Sequence, residues 1–165
     1  MKVSDRGLSS DDGAALECLW NWLSSLDTPD QPWTLFVTTT MKRYDPVSLK
    51  PWSIDIVDRA IGYFVHRCQQ SVFNNAYKRG RRSLGVICVR HHGAYGDHPH
   101  FHIVFTCPKW LPQTEFSKAI LASASRINWI DRLIDIRPYY SDGAISYLTT
   151  DGHWELVLVA SNSAV

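Results

Sequence analysis

His100-Phe101-His102 is the sharpest chemical pattern in the chain. On a strand, side chains at i and i+2 project to the same face. The two imidazoles would therefore stand side by side, with Phe101 turned toward the core. Two neighbouring imidazoles on rigid backbone suit a single divalent cation. Ile103, Val104 and Phe105 follow, so the pair lies at the polar entry of an apolar strand, at one end of a sheet. The same spacing also fits two surface histidines that merely alternate. A third ligand has several sources nearby in sequence. His91 ends the preceding strand and can reach across a hairpin, whereas His92, Asp97 and His98 lie in the intervening loop. His91 is preferred, because Pro99 interrupts strand continuity from His98.

Cations gather in two places: Lys42-Arg43, and Lys78 with Arg79, Arg81 and Arg82. Either group can neutralise phosphates. Either also suits a solvated helix end.

The elements that must position these groups follow from periodicity and breakers. Residues 1–13 are polar and rich in Gly, Ser and Asp, hence a flexible end, leaving 14–165 as one domain. Leu16, Leu19, Trp20 and Leu23 predict a helix over 14–26, capped by Asp12. Residues 33–41 (WTLFVTTTM) are β-branched and aromatic, a strand with Trp33, Leu35, Val37 and Thr39 on one side. Thr34, Phe36, Thr38 and Thr40 face the other. Ile54, Val57, Ile61, Phe64, Val65 and Cys68 predict one long helix from Ser53 to about Tyr77, ended by its basic turn and Gly80. Strands are expected over 84–91 and 100–107, joined as a hairpin with a long loop. A helix over 112–129 carries Phe116, Ile120 and Leu121 on one face. A strand over 132–140, a short helix over 142–151 and a strand over 153–160 complete the chain. This order predicts an α+β fold: an antiparallel sheet with helices on one face.

The segment His98-Pro99-His100-Phe101-His102-Ile103-Val104-Phe105 resembles the signature of the HUH endonucleases, which include rolling-circle replication initiators, relaxases and related transposases. That signature is two histidines flanking a bulky hydrophobic residue on a strand. Phe36-Val37-Thr38-Thr39-Thr40 looks like the family's upstream strand. Gly143-Ala144-Ile145-Ser146-Tyr147-Leu148-Thr149-Thr150 looks like the helix that carries its nucleophilic tyrosine. The resemblance spans roughly residues 33–152. It implies a ferredoxin-like, RRM-like sheet of about five antiparallel strands, with the metal histidines His100 and His102 on a central strand. It implies a bound Mg²⁺ or Mn²⁺, with Tyr147 as the catalytic nucleophile. The implied reaction is nicking and rejoining of single-stranded DNA at an origin or hairpin, through a 5′-phosphotyrosine, to start rolling-circle replication of a plasmid, phage or mobile element. Thr38, Thr40, Lys42, Arg43, Arg79, Arg81 and Arg82 would contact that DNA. The chain departs from the pattern at Thr150, where single-tyrosine initiators of this type usually carry Lys. Asp151 stands where a second tyrosine would be, so one tyrosine would act alone.

Composition sets outer limits. Apolar residues make up 45% and charged residues 20%, ordinary for a globular chain and unlike disorder. The net charge of +1 argues neither for nor against a nucleic-acid partner. Seven Trp and seven Tyr serve core packing first, and base stacking second. Cys18, Cys68, Cys88 and Cys107 lack finger or CxxC spacing and read as reduced thiols of a cytoplasmic protein. No apolar run reaches the ~20 residues of a membrane span. No helicase segment is present, so a separate helicase would unwind the duplex. Two other readings stay open: a single-stranded DNA binder on the same fold that has lost activity, and a ferredoxin-like RNA-binding module in which the histidines are incidental.

Overall fold

The computed structural model describes residues 17–18, 21–22, 24–25, 32–80, 82–91, 99–140, 148 and 154–160. The described positions between 17 and 25 are helical, as expected there. The predicted stripe of Leu16, Leu19, Trp20 and Leu23 falls outside them.

Five strands form one antiparallel sheet: β1 (Trp33–Met41), β2 (Val86–His91), β3 (His100–Thr106), β4 (Ile130–Pro138) and β5 (Trp154–Ala160). Their order across the sheet is β4-β1-β3-β2-β5, so β3 is central. The expected α+β class and the central strand for His100 and His102 both hold. β4 begins and ends two residues earlier than predicted, leaving Tyr139 and Tyr140 beyond it.

The sheet has two differently covered faces. Leu35, Val37, Val86, Cys88, Phe101, Ile103 and Phe105 pack on helices α1 (Ile54–Phe73) and α3 (Gln113–Ala124). Period-2 alternation sends Ile87, Val89 and Val104 to the opposite face, where they cluster with Trp33 and Leu148. Trp33 was expected beside Leu35. A bulge in the β1–β3 pairing between Trp33 and Leu35 breaks the alternation and turns Trp33 to the second face. Leu148 is helical and buried there. Helical structure thus touches both faces, not one as predicted.

The long helix predicted to Tyr77 is two helices. Asn74 takes a positive φ of 47° and interrupts it, and α2 (Asn75–Lys78) follows. No cation closes the last turn of α1; Lys78 ends α2 instead, and Gly80 at φ 66° stops the run. Ile54, expected on the apolar stripe, lies in the first turn and is exposed. α3 stops at Ala124, short of the predicted Trp129, and its Leu121 faces outward. One buried ion pair went unforeseen. Arg90, fully buried on β2, pairs with Asp58 of α1 and fastens the helix beneath that strand.

Candidate metal centre

The antiparallel pairing of β2 and β3 sets His91 directly opposite His100. His102 is two residues along β3, on the same face. The three rings form a compact triangle. Their centroids are 5.3 Å apart for His91–His100, 4.7 Å for His91–His102 and 5.1 Å for His100–His102. One nitrogen from each lies within 4.8 Å of the others, the geometry of a candidate metal site. Nitrogens bound to one ion at about 2.1 Å each are separated by no more than ~4.2 Å, so a small ring rotation closes the set. The preference for His91 among the possible third ligands thus has a geometric basis. His92, Asp97 and His98 lie outside the described residues.

Two hydrogen bonds aim the rings. His91 Nε2 lies 2.9 Å from the carbonyl oxygen of Leu148. A carbonyl only accepts, so Nε2 carries the proton and Nδ1 the lone pair. His102 Nδ1 lies 3.0 Å from Thr38 Oγ1, which pairs opposite it on β1. Were His102 Nε2 to hold a cation, Nδ1–H would donate to Thr38. Thr38, expected to contact DNA, also touches His102. Phe36 packs on the His102 ring at 5.4 Å between centroids. Thr40 is set opposite His100.

Burial keeps His102 neutral. His102 is 2% exposed. Desolvation, and then the charges of His91 and His100, push its pKa down to about 3. Three imidazoles this close cannot all be protonated without mutual repulsion, whereas a cation shared among three neutral rings relieves it.

The structure brings some predicted contacts to this end of the sheet and not others. Lys42 and Arg43 follow β1 immediately after the Thr40–His100 pair, and the Lys42 amide donates to the Trp129 carbonyl. Arg79 and Arg82 precede β2 at its far end, where Val86 pairs with Phe105. The length of β2, about 17 Å, separates them from His91. In the backbone they stand at the opposite end of β2 from the histidines, whereas Lys42 and Arg43 follow the Thr40–His100 pair. Tyr147, Thr150, Asp151 and Arg81 lie outside the described residues. Leu148, next after Tyr147, reaches the site through its carbonyl. The roles of Thr38 and of the Leu148 carbonyl were missed. The first had a signal, since Thr38 sits mid-strand on the polar face of β1; a backbone carbonyl has none.

Compared with protein-family models, curated proteins and solved structures, the chain matches none.

Proposed function

We propose that this protein binds a divalent cation on His91, His100 and His102 and uses it to nick and rejoin single-stranded DNA through Tyr147. The observation that carries the reading is the three-imidazole cluster on the central hairpin, joined by hydrogen bond to the residue after Tyr147. The resemblance of the His-x-His strand and the Tyr147 segment to the HUH endonucleases supplies the reaction.

The donor set fits a metal. His91 would ligate through Nδ1 and His102 through Nε2, each with its other nitrogen held by a protein oxygen. An all-nitrogen set favours Mn²⁺ over Mg²⁺, which prefers oxygen ligands and retained water. A bound cation would supply positive charge against a non-bridging phosphate oxygen. The Tyr147 hydroxyl would attack the phosphorus in line. The P–O3′ bond breaks, the 3′-oxygen leaves as a hydroxyl with a proton, and the 5′-phosphate stays on the tyrosine. Reversal by the same 3′-hydroxyl reseals the strand. Lys42 and Arg43, which follow the Thr40–His100 pair, would hold the strand at this end of the sheet. The partners are origin-like single-stranded DNA and a separate helicase, in the cytoplasm.

The test is incubation of the full chain with single-stranded oligonucleotides and Mn²⁺, followed on a denaturing gel. A covalent band that needs metal, and disappears in Tyr147→Phe, is expected. Adduct formation by Tyr147→Phe would remove this tyrosine from the mechanism. No adduct on any sequence, with retained DNA binding, would leave a non-cutting binder, in line with Thr150 in the usual Lys position.

A further inference from the structure

A second cavity lies across the sheet from the histidines. His91, His100 and His102 share the face that carries Val89 and Val104, whereas α1 and α3 cover the other. Between α1, α2 and the end of α3 is a cavity of about 330 Å³, within the roughly 300–1,000 Å³ range of small-molecule sites. Arg67, Lys78 and Arg126 line it, together with Gln70, Asn74 and Asn75. Arg67 and Gln70 are three residues apart on one face of α1, and Asn74, its C-cap, follows four residues on. The break at Asn74 brings Lys78 of α2 around to the same hollow. Arg126, just past α3, closes it where Ser123 meets Cys68 of α1.

The charge of this hollow is one-sided. No carboxylate is among the described residues that line it. Among the described residues, none of its three cations forms an ion pair. A cation near a helix C-terminus complements the helix dipole, which explains Lys78 in the last turn of α2. It does not explain three cations converging on one concavity, where they repel one another. Two guanidiniums, an ammonium and three amides make a donor-rich set that matches the oxygens of a phosphate. One turn along the same face of α1, at i−4 from Arg67, stands Tyr63. Its ring is 48% exposed and stacked on His66 at 6.4 Å between centroids. A flat exposed ring beside a phosphate clamp suits a base joined to that phosphate.

We propose that this cavity binds the phosphate of a nucleotide, clamped by Arg67, Lys78 and Arg126, with the base toward Tyr63. The nucleotide is either free or a unit of a nucleic-acid strand. The site is separate from the histidines and does not depend on the function assigned to them.

Calorimetric titration of the full chain with pyrophosphate, a nucleoside triphosphate and a short oligothymidylate, each in EDTA, tests it. Binding is expected, with affinity falling about tenfold or more in Arg67→Gln and in Arg126→Gln. Circular dichroism checks that these surface variants fold. Binding of the triphosphate identifies a free nucleotide; binding of the oligonucleotide alone, lost in the same variants, identifies a strand. Tyr63→Ala should weaken the triphosphate and leave pyrophosphate unchanged. No binding of any probe overturns the proposal. So does binding that neither arginine substitution weakens, or that requires a divalent metal.

Discussion

His102 is held neutral by its surroundings, and this has a sign that can be measured. Its folded pKa of about 3 lies below the ordinary 6.5. Between these values the unfolded chain binds a proton that the native chain does not. Stability of the metal-free protein is therefore fully present above pH 6.5 and is lost as pH falls toward 3, by up to about 1.4 kcal/mol per pH unit. Urea unfolding across that window reads the slope, and His102→Gln should flatten it. An unchanged slope in that variant would assign the protons elsewhere. The same neutrality keeps the His102 lone pair available at pH values where an exposed histidine is protonated. Thr38→Val removes the oxygen that steadies His102 Nδ1. It should weaken Mn²⁺ binding about 10- to 100-fold with little loss of fold, as read by metal titration. Asp58→Ala leaves the buried Arg90 without its carboxylate. A cost of about 2 kcal/mol is expected in chemical denaturation, below the full value for a buried pair because Asp58 is partly exposed.

Elements place these residues, and most of the elements were readable. The hairpin of β2 and β3 was visible from two β-rich runs, and its register sets His91 opposite His100 in the triangle. The central position of β3 came from the family resemblance; no local pattern encodes strand order. What was not readable has physical causes. The bulge at Trp33 is a pairing property of two strands, invisible in either alone. Asn74 breaks α1 through a backbone angle that an asparagine tolerates without advertising it. The Arg90–Asp58 pair joins residues 32 apart, and an arginine inside an apolar strand looks like an edge position until its partner is placed. Thr38 looked like a surface contact because a hydroxyl facing a histidine reads the same as one facing solvent. A further test belongs to the entry of β2. A Cβ on Gly85 would stand 2.9 Å from both Cγ2 and Oγ1 of Thr106, whose hydroxyl already accepts the Gly85 amide proton. Gly85→Ala should cost on the order of 1–3 kcal/mol, measured by thermal or urea melting. A neutral result would mean that β2 shifts at its start without disturbing the hairpin.

At the scale of the molecule, one sheet separates a histidine cluster from a helical layer with its own cationic hollow. No helix among the described residues is long and apolar enough to cross a membrane. The same layering sorts the thiols. Burial pushes Cys68 up to about 12 and raises Cys88 further, and the half-buried Cys107 to about 11. Cys18 is exposed. Thiol labelling of the native protein should therefore mark Cys18 first, with Cys68 and Cys88 reacting only on unfolding. Mass spectrometry of the labelled peptides gives the order, and rapid labelling of Cys88 would show β2 opening under native conditions.

The hydrogen bond from His91 to the Leu148 carbonyl also has a thermodynamic meaning. It ties the orientation of one prospective ligand to the position of Leu148, the residue after Tyr147 in sequence. Linkage between two such equilibria is reciprocal. Whatever factor a cation would add to the affinity for a DNA strand seated beside it, the strand would add to the affinity for the cation. Metal titrations with and without oligonucleotide should close the same cycle from both sides.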